Sequence, residues 1–194
     1  MLHPPAGSDD LEEVRELNRL FLDYVRACAR AGADCLGLDR ATAALLESAS
    51  CERLDALAAI PRALFRLTLP RAKPLGVMDP PANAVETSRQ ALQLTIAHSA
   101  WHMSRRRPYA ARLFLGLDEH EIRTLRGTTL FDLPHLAASV ELVGCAFPHA
   151  AWLWHKLLTE TRPESLRHLL LIALQPRLPT PLEPSRLLGQ QASA

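Results

Sequence analysis

A shift of 79 residues, the distance from Gly37 to Gly116, lays one half of this chain on the other without a gap across the central region. The register pairs Leu36 with Leu115, Leu38 with Leu117, Asp39 with Asp118 and Leu46 with Leu125. Further on it pairs Ser50 with Thr129, Leu54 with Leu133, Leu57 with Leu136 and Ala58 with Ala137. These positions have physical roles: a glycine free to take a left-handed cap, an aspartate placed to cap the next helix, and leucines at core spacing. The abundance of leucine and alanine does not by itself put caps and core in one register. The chain reads as two diverged copies of one module, related by a pseudo-twofold axis.

Hydrophobic periodicity makes the modules helical. From Asp9 to Arg30 the apolar positions Leu11, Val14, Leu17, Leu20, Phe21, Tyr24 and Val25 recur at three and four residues, with Asp9 and Glu12 placed as an N-terminal cap. A second helix is predicted from Asp39 and a third from Ser50. The second half repeats the order: a long helix from about Val85 to Arg106, a break at Pro108, a helix from Asp118 and another from Thr129 or Asp132. Two more follow, Ala150 to Leu158 and Pro163 to about Leu174, separated by Thr161, Pro163 and Glu164 in a capping-box arrangement. Valine and isoleucine are sparse and no Asn-Gly or Asp-Gly turn separates alternating runs, so no strand is predicted. The fold class expected is all-α: a first module over 1–68, a proline-rich linker over 69–84 carrying Pro70, Pro74, Pro80 and Pro81, and a second module with C-terminal helices over 85–176. A tail over 177–194 is expected to be disordered.

Composition narrows the function. With 48% hydrophobic and 22% charged residues, a core can form without metal or disulfide support. A net charge of +1 provides no global field for nucleic acid or anionic membrane, so any DNA contact must come from a local patch or a partner. Cys28, Cys35, Cys51 and Cys145 form no C-x-x-C pair, and the N-terminus has neither the basic nor the apolar region of a signal peptide, which is read as a cytosolic setting. The most apolar run, Leu166 to Leu174, contains Arg167 and His168 and is too short to cross a bilayer. No G-x-S-x-G, phosphate loop or G-x-G-x-x-G occurs, and no catalytic residue or cofactor is expected.

The second copy carries Leu115-Gly116-Leu117, an acidic capped helix from Asp118 to Leu125, Thr129-Leu130, Leu136-Ala137 and Leu142-Val143-Gly144-Cys145-Ala146-Phe147. The first offers Leu17-Asn18 with Phe21-Leu22, then Leu36-Gly37-Leu38 and Leu57-Ala58, with the stretch before Gly37 shorter by about four residues. This pattern resembles the FlhD family of bacterial flagellar transcriptional activators. The resemblance implies helical modules that pair as a dimer, here joined in one chain as a pseudo-dimer. It also implies a protein partner of the FlhC kind, with promoter DNA bound only through the complex. The family's dimer can be linked through its cysteine, whereas Ala63-Leu64-Phe65 stands near that place in the first copy and leaves Cys145 without an equivalent mate. The competing expectation is a helical adaptor, or an accessory or chaperone-like subunit, of a flagellar or type III secretion apparatus. Further oligomerisation stays open.

The densest positive patch is Arg105-Arg106-Arg107 with Arg112, which is read either as a grip on DNA phosphates or an acidic partner, or as a solvated helix end complementing its dipole. Its place before Leu115-Gly116-Leu117 corresponds to the region through which the resembling family meets its partner. Thr161 and Arg162 open the segment that resembles the family's DNA-active C-terminus. His98 and His102 have the spacing of a helical metal pair but lack an evident third ligand, so a structural role is expected and no metal. Trp101, Trp152 and Trp154 are read as packing residues or interface anchors.

Overall fold

The computed structural model describes residues 7–69, 84–138, 142–147 and 150–160. The first long helix, α1 (Ser8–Ala31), starts just ahead of the expected Asp9 cap. Gly7 has no side chain with which to cap, so Asp10 reaches back and its carboxylate accepts the Gly7 N–H at 3.3 Å. Glu12 forms an exposed ion pair with Arg15 instead of a cap. Helix α1 ends at Gly32, whose φ of 65° lets its N–H reach back to the last turn.

Local capping chemistry sets the short helices. Helix α2 (Arg40–Ser48) begins at Asp39, which accepts from the N–H groups of Ala41 and Thr42 at 3.0 Å and from the Thr42 hydroxyl at 2.6 Å. The hydroxyl bond foremost, with the Thr42 amide behind it, favours the charged form and holds the Asp39 pKa below its ordinary value of 3.8. A lowered folded-state pKa stabilises above the ordinary value, and that stabilisation is lost as pH falls through the depressed one. Asp39→Ala is therefore expected to cost about 1 kcal/mol at pH 7, and urea titrations should show the gap from wild type closing below pH 3.8. Helix α3 (Cys51–Ala58) starts at Ser50, whose Oγ accepts from the Arg53 N–H at 3.2 Å.

In the second half come α4 (Ala84–Arg106), α5 (Pro108–Leu115) and α6 (Glu119–Gly127), then a 3-10 turn (Leu130–Asp132) leading into α7 (Leu133–Ala137), and finally α8 (Ala151–Thr159). Asp118 and Glu121 complete a reciprocal capping box at 2.7 and 2.8 Å ahead of α6. The bounds 40–48 and 51–58 fall on 119–127 and 130–137 at the 79-residue shift. Gly37 and Gly116 both take positive φ, 83° and 69°, two residues ahead of the capping aspartates. In the long helices the buried positions coincide at a shorter shift of 75: Leu17, Asn18, Phe21, Leu22, Val25 and Cys28 are buried, as are Leu92, Gln93, Ile96, Ala97, Ala100 and Met103. The difference falls where α5 occupies the second half and the first half has only the turn from Gly32 to Leu36.

The expected absence of strands is corrected. Phe65–Leu67 (β1) and Val143–Cys145 (β2) pair antiparallel, with Phe65 opposite Cys145, Arg66 opposite Gly144 and Leu67 opposite Val143. The architecture is thus mostly helical with a small two-stranded sheet, not all-α. Three residues are too few for alternation to register as a period, and each strand exists only because the other half supplies its partner. The sheet also ties each half to the turn of the other: the Cys145 N–H donates to the Leu36 carbonyl at 2.9 Å and the Ala63 N–H to that of Phe114 at 2.7 Å.

One hydrophobic cluster runs through both halves, with α1 packed on α4 and α8 crossing back onto α2 and α3. Asn18, fully buried in α1, donates to the carbonyls of Ala58 and Ile60 at 3.2 Å and of Arg62 at 2.9 Å, and accepts the Leu64 N–H at 2.8 Å. It replaces the water that the backbone between α3 and β1 would otherwise require. Arg53 donates to the carbonyls of Leu157 and Glu160 and so closes the end of α8. Cys28, Cys35 and Cys145 are buried and Cys51 is exposed, all as free thiols. Burial pushes the pKa of Cys28 and Cys35 up, which keeps both protonated and unreactive. Among the described residues no helix is long and apolar enough to cross a membrane. The expected linker residues 70–83, the helix from Pro163 and the tail 177–194 lie outside the described residues.

Candidate interaction surface

The arginine tract does not form one patch, because the end of α4 distributes its side chains around the helix. Arg105 lies over the ring of Trp101, 5.0 Å from its centroid, and donates to the Arg126 carbonyl at 3.4 Å. Arg107 turns the other way and pairs with Asp10 of α1 at 2.6 Å, where the Asp10 side chain is only 5% exposed. The Asp10 carboxylate thus serves both the α1 N-terminus and the junction of the two long helices. Arg106 is exposed beside Asp9, Asp10, Glu13 and His102, around a cleft of about 190 Å³. Arg112 is exposed on α5 between Tyr109 and Leu113, which are also exposed. Neither Arg106 nor Arg112 makes an ion pair among the described residues. Thr161 and Arg162 lie outside the described residues.

Changing all three arginines together would therefore mix two effects. Arg107→Ala leaves a buried carboxylate without its cation, and a loss of about 1–3 kcal/mol in chemical denaturation is expected. Arg106→Ala should stay within about 0.5 kcal/mol of wild type, as exposed positions usually do.

The surface that the arginines alone do not reveal lies on the α4–α7 side. Trp101 is half-buried, its indole N–H held by the Thr128 carbonyl at 2.8 Å, and His98 stands 6.1 Å from it, ring to ring. The turn after Thr128 presents Leu130 and Phe131, the latter 87% exposed. Thr129 and Asp132 bond to each other at 2.8 Å through their side chains and at 3.2 Å from amide to carboxylate, which fixes that turn. Leu94, His98, Trp101 and Arg105 follow at four-, three- and four-residue steps and form one stripe of α4. The sequence signal was Leu130-Phe131 directly after a cap. Helical periodicity assigns one of such a pair to the core, and a 3-10 turn instead leaves both outside.

The other tryptophans divide: Trp152 is 52% exposed, and Trp154 is fully buried with its N–H on the Cys145 sulfur at 3.1 Å. His98 and His102 belong to no metal-ligand cluster among the described residues. Comparison of the chain with family models, with curated proteins and with solved structures gives no match.

Proposed function

We propose that this chain is a non-enzymatic regulator of the FlhD type, two FlhD-like modules joined as an intramolecular pseudo-dimer, working by protein contacts in a transcription-activating complex. The observation that carries the reading is the antiparallel pairing of β1 with β2, which sets Phe65 across from Cys145. In the family resemblance, Cys145 holds the position through which two subunits can be linked. Here a phenylalanine of the other half occupies the mate's place and pairs by packing. The matching bounds of α2 with α6, and of α3 with the 3-10 turn and α7, support the same reading. So do the burial patterns of α1 and α4.

In this reading the chain supplies shape and anchoring residues, and DNA is reached through a partner of the FlhC kind. A net charge of +1 and arginines that point in different directions suit a subunit that does not bind promoter DNA alone. The test is a mobility-shift titration with the purified chain, alone and with the product of a neighbouring gene carrying a four-cysteine zinc pattern. No shift alone and a salt-sensitive shift with the partner are expected. Absence of any DNA complex with the partner at low salt would overturn the promoter part and leave the adaptor of a flagellar or secretion apparatus.

A further inference from the structure

The two halves present the same face in different chemistry. On the first half, Arg19 of α1 pairs with Asp23 at 2.9 Å and also with Asp55 of α3, so the cleft between these helices is lined by charges that pair among themselves. At the 75- and 79-residue shifts, these positions are Leu94, His98 and Pro134 in the second half. Arg26 corresponds to Trp101, Cys51 to Leu130 and Glu52 to Phe131, while Arg30 corresponds to Arg105 and keeps its charge. A self-satisfied polar face in one half is thus an open aromatic face in the other.

We infer that the second-half face formed by Leu94, Trp101, Arg105, Leu130 and Phe131 is a single docking site for a partner protein that offers an apolar pocket flanked by carboxylates. The inference rests on the protein-contact part of the reading above and not on its promoter part. Phe131, 87% exposed on a turn locked by Thr129 and Asp132, is a pre-organised anchor that loses little entropy on insertion. One guanidinium lies on the same face: Arg105 stacks on Trp101, donates to the Arg126 carbonyl and makes no ion pair among the described residues. An apolar surface that carries a cation without an ionic partner is complementary to an apolar cleft with an acidic edge.

Nucleic acid fits this face less well. Base stacking needs an open ring face, but Arg105 covers that of Trp101, and Phe131 alone provides no row of rings. Since the first half carries Glu52 and Cys51 at the corresponding positions, one partner binds per chain and not two.

The test places a photo-crosslinking residue at position 131, and in a second sample at position 52, of the full chain in its native cells. The protein joined at 131 is then identified and purified, and its binding to the chain is measured by calorimetry without DNA. The expected results are a protein adduct from 131 and not from 52, and one partner per chain. Phe131→Glu should weaken binding at least 30-fold with an unchanged thermal melt. Arg105→Glu should weaken it at least tenfold, with recovery on changing a pocket carboxylate of the partner to arginine. Adducts only with nucleic acid or with a second copy, equal yields from 131 and 52, no adduct, or unaltered affinity of the Phe131→Glu chain would each overturn the inference. A partner that binds through Phe131 but never carries DNA keeps this inference and removes the promoter reading. A DNA complex that survives Phe131→Glu does the reverse.

Discussion

Trp154→Ala is expected to destabilise the protein by about 3–5 kcal/mol, as for other large buried aromatics. Trp154 is among the largest fully buried side chains, and its indole packs 6.5 Å from Phe147 while donating to Cys145 at the end of β2. Truncation removes that volume from helix α8, which is otherwise held on α2 and α3 by leucines and by Arg53 at its carboxyl end. The damage therefore falls on the attachment of α8 to the other half as well as on the core. Trp154→Phe keeps most of the apolar contact and loses the N–H, so a cost of about 1–2 kcal/mol is expected. Urea denaturation followed by tryptophan-independent far-UV dichroism measures both.

Asn18→Ala is the other large effect. The variant takes the side-chain partner away from the buried Ala58 carbonyl, the part-buried Arg62 carbonyl and the buried Leu64 N–H, while the Ile60 carbonyl keeps the Arg62 N–H at 2.7 Å, and a loss of about 3–5 kcal/mol follows from one to three for each of the worst-placed groups. Asn18→Leu, which fills the volume, should recover little, because the unsatisfied backbone causes the loss. Asn18→Asp is diagnostic: a carboxylate cannot donate to the three carbonyls and is costly to bury, so its folded-state pKa is raised. A raised acid is folded more easily when protonated, so this variant should gain stability relative to wild type as pH falls from 7 toward 5. Equal losses for Asn18→Asp at the two pH values would contradict the assignment of those bonds.

The parts of the fold that could be read in advance are those set by neighbours in the chain. Asp39, Ser50 and Asp118 sit where each helix begins, because a cap and its N–H acceptance lie within three residues, and Thr129 opens the 3-10 turn by donating its hydroxyl and amide to Asp132. The start of α1 shifted because the cap there is Asp10 reaching back to Gly7, and a glycine carries no capping signal. The sheet was missed for the opposite reason: Phe65 and Cys145 become strand residues through a pairing between distant segments. The candidate site divides in the same way. A run of arginines is visible as charge, but the pairing of Arg107 with Asp10 and the stacking of Arg105 on Trp101 depend on how α4 meets α1 and α6. Exposure of Phe131 depends on a 3-10 turn, which no periodicity announces.

In the proposed pseudo-dimer, duplication would account for the fold and divergence for the surface. The halves share a sheet, a core and the crossing of α8, while Glu52 and Phe131 make their equivalent faces unlike. The direct test is native mass spectrometry of the two halves co-expressed as separate chains, residues 1–69 and 84–194. The predicted result is a one-to-one complex of unlike halves, with each half insoluble or unfolded when expressed alone. Two independently folded monomers, or homodimers of either half in preference to the mixed complex, would contradict the pseudo-dimer.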